Sequence, residues 1–191
     1  MLTVETTKQW LSNFNELVQA NAAYLSDLDT PIGDGDHGGN MSRGMGKVME
    51  ELAANEFETV QDVLKKVAMT LISSVGGASG PLYGSAFMGM AKTAKETTDK
   101  LALITSGLAG IQKRGKAEVG DKTMVDVWAY VKEQLEQGAT VTAEDIEKVV
   151  EASKDLVAKK GRASYLGERS LGHIDPGTCS SGYLLTELLK A

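Results

Sequence analysis

The chain has 191 residues, 42% of them hydrophobic and 24% charged, which suits one folded domain with a sizeable core and excludes a disordered polymer. Its 26 acidic and 20 basic residues leave a formal charge of −6, and the basic doublets Lys65-Lys66, Lys113-Arg114 and Lys159-Lys160 are scattered, so nucleic acid is not an expected partner. A single cysteine, Cys179, precludes an intramolecular disulfide; with no basic-then-apolar leader and no apolar run of about 20 residues, the expectation is a cytoplasmic chain that does not contact a membrane.

Apolar residues recur at helical spacing throughout, and no alternating strand pattern is present. Trp10, Leu11, Phe14, Leu17, Val18 and Leu25 predict a first helix over residues 7–26. Met41, Met45, Val48, Met49 and Leu52 predict a second over 40–54. Thr59 and Asp62 stand at capping-box spacing and open a third through Val63, Leu64, Val67 and Leu71. A fourth follows Ser79, with Phe87, Met88, Met90, Ala91 and Ala94. Further helices are predicted over 101–113, 123–137, 143–160 and 180–190, the seventh opened by Thr142 and Asp145. The expectation is an all-α fold of eight helices in one domain, residues 1–191.

Thirteen of the 21 glycines concentrate between these helices, in residues 33–39, 76–80, 115–120 and 161–177. Such clusters read either as tight turns or as backbone that approaches a ligand closely. The first cluster favours a ligand. Asp29, Asp34 and Asp36 share one short segment, where three carboxylates repel unless a cation neutralises them, and hard oxygen donors select Mg²⁺ or Ca²⁺. Gly38, Gly39 and Asn40 follow at an expected helix start, where their amides would cradle phosphate and Asn40 would cap the helix. An acidic chain needs such cations, or helix N-termini, to hold a polyanion.

Two competing motifs fail. The stretch from Asp34 begins like an EF-hand loop, but its twelfth position is Met45, not an acid. Gly115 to Thr123 is one residue too long for a P-loop and follows a helical stretch rather than a strand. Arg162, in a Gly-bounded loop, suits a developing phosphoryl charge, with pairing to Glu168 as the plainer reading. Asp175-Pro176-Gly177 reads as a turn. His37 and His173 read as hydrogen-bonding groups before phosphoryl carriers, and Cys179 as a buried, inert thiol.

Taken together, Gly33-Asp-Gly-Asp-His-Gly-Gly-Asn-Met41, Gly76-Gly-Ala-Ser-Gly-Pro-Leu-Tyr-Gly84, Gly120-Asp-Lys-Thr-Met124, Gly161 to Ser170 and Gly172 to Gly177 resemble the ADP-binding L subunits of bacterial phosphotransferase-dependent dihydroxyacetone kinases. The resemblance implies an antiparallel eight-helix barrel with a tightly bound ADP/ATP at one end. It implies two Mg²⁺ ions on Asp29, Asp34 and Asp36. Nucleotide contacts would come from His37, Gly38, Gly39, Asn40, Ala78 and Ser79, with Gly115 and Met124 around the base. Arg162, also the catalytic residue, and Asp175, Pro176 and Gly177 would complete the site. The implied partners are a phosphohistidine-carrying subunit, which recharges ADP, and a dihydroxyacetone-binding subunit, which receives the phosphoryl group. An ATP-dependent kinase domain with exchangeable nucleotide and a non-catalytic Mg·ADP sensor remain alternatives.

Overall fold

The computed structural model describes residues 1–191 and contains nine α-helices, two 3₁₀ segments and no strand. The predicted first helix is two. α1 (Val4–Ala20) starts in a capping box between Thr3 and Thr6 and stops at Asn21, whose side-chain amide and backbone N–H both donate to the Leu17 carbonyl. An asparagine that competes for the helix's own carbonyls is a natural stop. The chain turns there and resumes as α2 (Ala22–Asp29), which carries Ser26 and Asp29 toward the start of the next helix.

α3 spans His37–Ala54, three residues longer at its start than the periodicity predicts. α4 (Val60–Ser74) begins at Thr59, whose hydroxyl accepts from the Asp62 N–H as predicted. α5 (Ser79–Thr93) and α6 (Lys100–Gly115) follow. These two approach closely because glycines face backbone. A Cβ at Gly89 would lie 2.4 Å from the Ser106 carbonyl, and one at Gly110 would lie 2.3 Å from that of Ser85. Some glycines therefore serve helix packing, not loops.

α7 (Met124–Glu136) and α8 (Ala143–Ala152) start in capping boxes at Thr123 and Thr142. The predicted extension of α8 to residue 160 is absent. A 3₁₀ turn (Ser153–Asp155) ends it, and Leu156 is extended. A second 3₁₀ segment (Arg162–Ser170), broken at Gly167, leads to α9 (Pro176–Lys190). α9 starts four residues before the predicted position. Asp175-Pro176 is the cap and first residue of this helix rather than an isolated turn, as suits proline's fixed φ and missing N–H.

Neighbour packing is cyclic. α1 lies on α3, α3 on α4, α4 on α5, α5 on α6, α6 on α7 and α7 on α9, and α9 returns to α1. α2 covers α3, and α8 lies against α7 and α9. Thirty-eight buried apolar residues form one core, with Trp10, Phe14, Tyr83, Phe87 and Trp128 among its largest. Trp10 and Phe87 stack at 5.8 Å, and the Trp10 indole N–H donates to the Leu184 carbonyl at 2.9 Å. No helix is long and apolar enough to cross a membrane.

Candidate active site

A cavity of about 520 Å³ opens at the end of the bundle where α3, α5, α7 and α9 begin. Its wall includes His37 and Asn40 from α3, Ala78 and Ser79 from α5, Met124 from α7, and Asp175, Pro176 and Gly177 from α9. Four helix N-termini facing one space add positive character to that of Arg114, Lys122, Lys160 and Arg162, which also line it. Leu82, Ile111, Ala117 and Met124 form an apolar part of the wall beside Gly115.

The acidic cluster lies on the rim. Oxygens of Asp29, Asp34 and Asp36 all lie within 4.8 Å of one another. Two oxygens on opposite sides of one Mg²⁺ would be about 4.2 Å apart, given metal–oxygen bonds near 2.1 Å. The donor set therefore fits this ion with small adjustment. Gly33 makes room for it: a Cβ there would fall 2.0 Å from Asp29 Oδ1.

Asp29 also holds the start of α3. Its Oδ2 accepts from the N–H groups of Asp36 (3.0 Å) and His37 (3.3 Å). Ser26 Oγ accepts from those of Gly38 (3.1 Å) and Gly39 (3.3 Å), and the Asn40 N–H reaches the Asp36 carbonyl. The expected phosphate cradle of amides at Gly38, Gly39 and Asn40 is thus already occupied from within the chain. Gly38 and Gly39 are absent from the cavity wall; Gly38 instead permits contact with α2, since a Cβ would meet the Ala22 carbonyl at 1.7 Å. Asn40 is not a cap. It is buried in the first turn and accepts from Arg43.

The other three N-termini differ. α7 is capped by Thr123 and α9 by Asp175, which accepts from the Thr178 N–H at 2.7 Å. α5 has no side-chain cap. Its first turn, with Ser79 at the cavity wall, is the better anion seat.

Arg162 reaches across from the 3₁₀ segment to Asp34, Nη1 to Oδ2 at 2.7 Å, and not to Glu168. His37 is buried, with Nδ1 3.1 Å from Ser79 Oγ and Nε2 2.8 Å from Ser180 Oγ. Burial pulls its pKa down to about 4 against a smaller upward pull from Asp36, so the ring is neutral at pH 7. A neutral ring hydrogen-bonded on both nitrogens positions its neighbours and is a poor phosphoryl acceptor.

Sequence reasoning missed Lys122 as a functional-site residue. Its backbone is left-handed (φ 60°), its side chain is buried, and its ammonium donates to the carbonyls of Ser170 (2.6 Å) and Leu156 (3.1 Å). Those carbonyls bracket the segment that carries Arg162. Ser26, Tyr83 and Ser180 were missed too, because their roles depend on helices distant in sequence.

Residues 31–190 match the model of the DAK2 domain. The chain is 61% identical, over all of its length and 98% of the relative's, to the PTS-dependent dihydroxyacetone kinase ADP-binding subunit of Lactococcus lactis. It is 50% identical, over 95% of its length and 93% of the relative's, to the ADP-binding subunit of PEP-dependent dihydroxyacetone kinase 1 of Listeria innocua. The dihydroxyacetone kinase of C. freundii, solved in complex with AMP-PNP and Mg²⁺, shares the fold with a TM-score of 0.74 at 21% identity; the match covers 95% of this chain but only 33% of that one. With its cavity and acidic rim, the chain belongs to the DAK2-domain family, alongside the ADP-binding subunits of dihydroxyacetone kinases.

Proposed function

We propose that this chain is the nucleotide-carrying subunit of a cytoplasmic dihydroxyacetone kinase. ADP remains bound, receives a phosphoryl group from a phosphohistidine on one partner, and as ATP gives it to dihydroxyacetone on another. Products are ADP and dihydroxyacetone phosphate, so the nucleotide returns to its starting state.

The observation that carries this reading is the meeting of Asp29, Asp34, Asp36 and Arg162 at one rim of a cavity lined by four helix N-termini. Two Mg²⁺ ions would supply charge neutralisation between carboxylate and phosphate oxygens. Asp29, Asp34 and Asp36 hold those ions. The α5 N-terminus and Ser79 seat phosphate oxygens, and the apolar wall at Leu82, Ile111 and Met124 receives the base beside Gly115. His37 supports Ser79 rather than accepting a phosphoryl group. Arg162, held by Asp34 only through an exposed ion pair, balances charge on the group in transfer. Asp175, Pro176 and Gly177 close the opposite wall. No side chain of this set is required as a general base, since phosphoryl transfer relies on positioning and charge.

The test is nucleotide retention. ADP should accompany the purified chain through gel filtration and be released by EDTA. Nucleotide that exchanges freely at equal Mg²⁺ would favour the ATP-dependent alternative, and no Mg²⁺-dependent ADP binding by calorimetry would overturn the assignment.

A further inference from the structure

Behind Ser79, hydroxyls, the His37 ring and an indole form an unbroken hydrogen-bonded row through the core. Trp128 Nε1 lies 3.1 Å from Ser181 Oγ, which lies 2.9 Å from the Tyr83 hydroxyl. That hydroxyl is 2.7 Å from Ser180 Oγ, the partner of His37 Nε2. Tyr83 is buried at 1% exposure, and Ser180 and Ser181 at 0%.

The row has a direction, set at its inner end. An indole N–H only donates, so Ser181 Oγ accepts from Trp128. Tyr83 is the one acceptor in reach of the Ser181 hydroxyl, so Ser181 donates to Tyr83. Tyr83 then has Ser180 Oγ as its acceptor. Ser180 chooses between His37 Nε2 at 2.8 Å and the Gly177 carbonyl at 3.3 Å. A Ser180 hydrogen on the shorter contact would make Nε2 the acceptor and leave the ring hydrogen on Nδ1, directed at Ser79 Oγ.

We infer that Tyr83 is a positioning residue: acting through Ser180, it fixes the His37 tautomer that donates to Ser79 and leaves the Ser79 hydroxyl hydrogen free for a phosphate oxygen in the cavity. The opposite tautomer would consume that hydrogen on His37 Nδ1 and present a lone pair to an anion. Tyr83 opposes it by occupying one of the two Ser180 lone pairs, so that Nε2–H could be accepted only on the other, with the Ser180 hydrogen turned to the longer Gly177 contact. The inference deepens the proposed function and rests on it for the identity of the phosphate.

The wiring can be read without nucleotide. In ¹⁵N spectra of the full chain at neutral pH, with His173→Gln to leave one histidine, His37 should show a protonated Nδ1 and an acceptor Nε2. Tyr83→Phe should raise the share of the other tautomer and weaken Mg·ADP binding about fivefold to tenfold, as for the loss of one neutral hydrogen bond. In a Ser79→Ala background the same change should have no further effect on affinity, because the two residues act in series. A wild-type ring protonated on Nε2 overturns the inference, as do independent, additive losses from the two variants. If Tyr83→Phe does not fold, the tautomer of the otherwise unaltered chain still decides. A wild-type chain that fails to bind Mg·ADP removes the functional proposal, a result separate from the ring's proton position.

Discussion

The Arg162 guanidinium and the Asp34 carboxylate are joined at 2.7 Å, so the candidate catalytic cation and a candidate metal ligand hold each other. Their side chains are 69% and 36% exposed, which limits the pair to about 1 kcal/mol or less. The bond is therefore easily exchanged for metal on one side and phosphate on the other. Arg162→Ala should leave folding stability within about 0.5 kcal/mol and ADP retention within about twofold. It should slow phosphoryl transfer roughly a thousandfold in a reconstituted assay, as for other transferring-phosphate arginines. Mg²⁺ binding without nucleotide should tighten, since a competitor for Asp34 is gone. Full transfer activity would remove Arg162 from the mechanism.

Asp29 and Asp34 should separate by their effect on the fold. Asp29 caps α3 through two backbone N–H groups, whereas Asp34 has no such bond. Both Asp29→Ala and Asp34→Asn should abolish Mg²⁺-dependent ADP binding by calorimetry. Only Asp29→Ala should also lower thermal stability, by about 1 kcal/mol for a lost cap, or about 2–4 °C for a domain of this size. Equal melting temperatures would mean that the Asp29 contacts contribute little.

These two aspartates also mark what periodicity and motif can reveal. Helix positions followed from apolar spacing, and Thr59, Thr123 and Thr142 do start helices. The break at Asn21 was hidden because apolar residues continue in phase on both sides, so only the side chain's bond to Leu17 distinguishes it. The end of α8 was hidden likewise by Leu156 and Val157, which prolong the apolar spacing after the helix has stopped. Ser26 occupies the Gly38 and Gly39 amides expected to meet phosphate, and nothing near Gly38 in sequence foretells that. Contacts between distant helices leave no local pattern.

The buried His37 and the half-buried Asp175 should oppose each other on acidification. The pKa of His37 is pulled down from 6.5 to about 4 by burial, so its contribution to stability is full above 6.5 and is lost as pH falls toward 4. Burial pushes Asp175 up from 3.8 to about 6, opposed by its bonds to Thr178, so its protonation adds stability as pH falls from 6 toward 3.8. Each effect is on the order of 1–2 kcal/mol between pH 7 and 5. Asp175→Asn keeps a capping side chain but removes the compensating titration. Urea denaturation should show a steeper loss of stability from pH 7 to 5 in Asp175→Asn than in wild type. Parallel profiles would show that Asp175 does not titrate in this window.

Cys179 lies in the first turn of α9 at 4% exposure, and burial raises its thiol pKa. Position near a helix N-terminus would activate an exposed thiol, but desolvation dominates here. The folded chain should resist aromatic disulfide reagents at pH 8 and react fully in denaturant. Rapid labelling of the native protein would reverse that balance.

Lys122 should be the site where one substitution loosens the cavity wall without touching the aspartates. Its ammonium joins Leu156 to Ser170, and Ser170 Oγ accepts from the Ala158 N–H, so one buried cation closes the segment that bears Arg162. Burial pulls its pKa down, while Asp175 and Asp155 favour the charged form. Lys122→Met keeps the stem but leaves two carbonyls without their donor, at a cost of about 2–3 kcal/mol. Lys122→Gly loses the same bonds and the buried stem as well, which outweighs the roughly 1 kcal/mol of relief to the left-handed backbone, so it should be the more damaging of the two. Both should speed proteolysis within residues 156–172, and Mg·ADP, by engaging Arg162, should restore part of the protection. Chemical denaturation that ranks Met equal to wild type would show that the ammonium adds nothing to this closure, and a Gly variant as stable as Met would show that the buried stem contributes no more than the backbone relief.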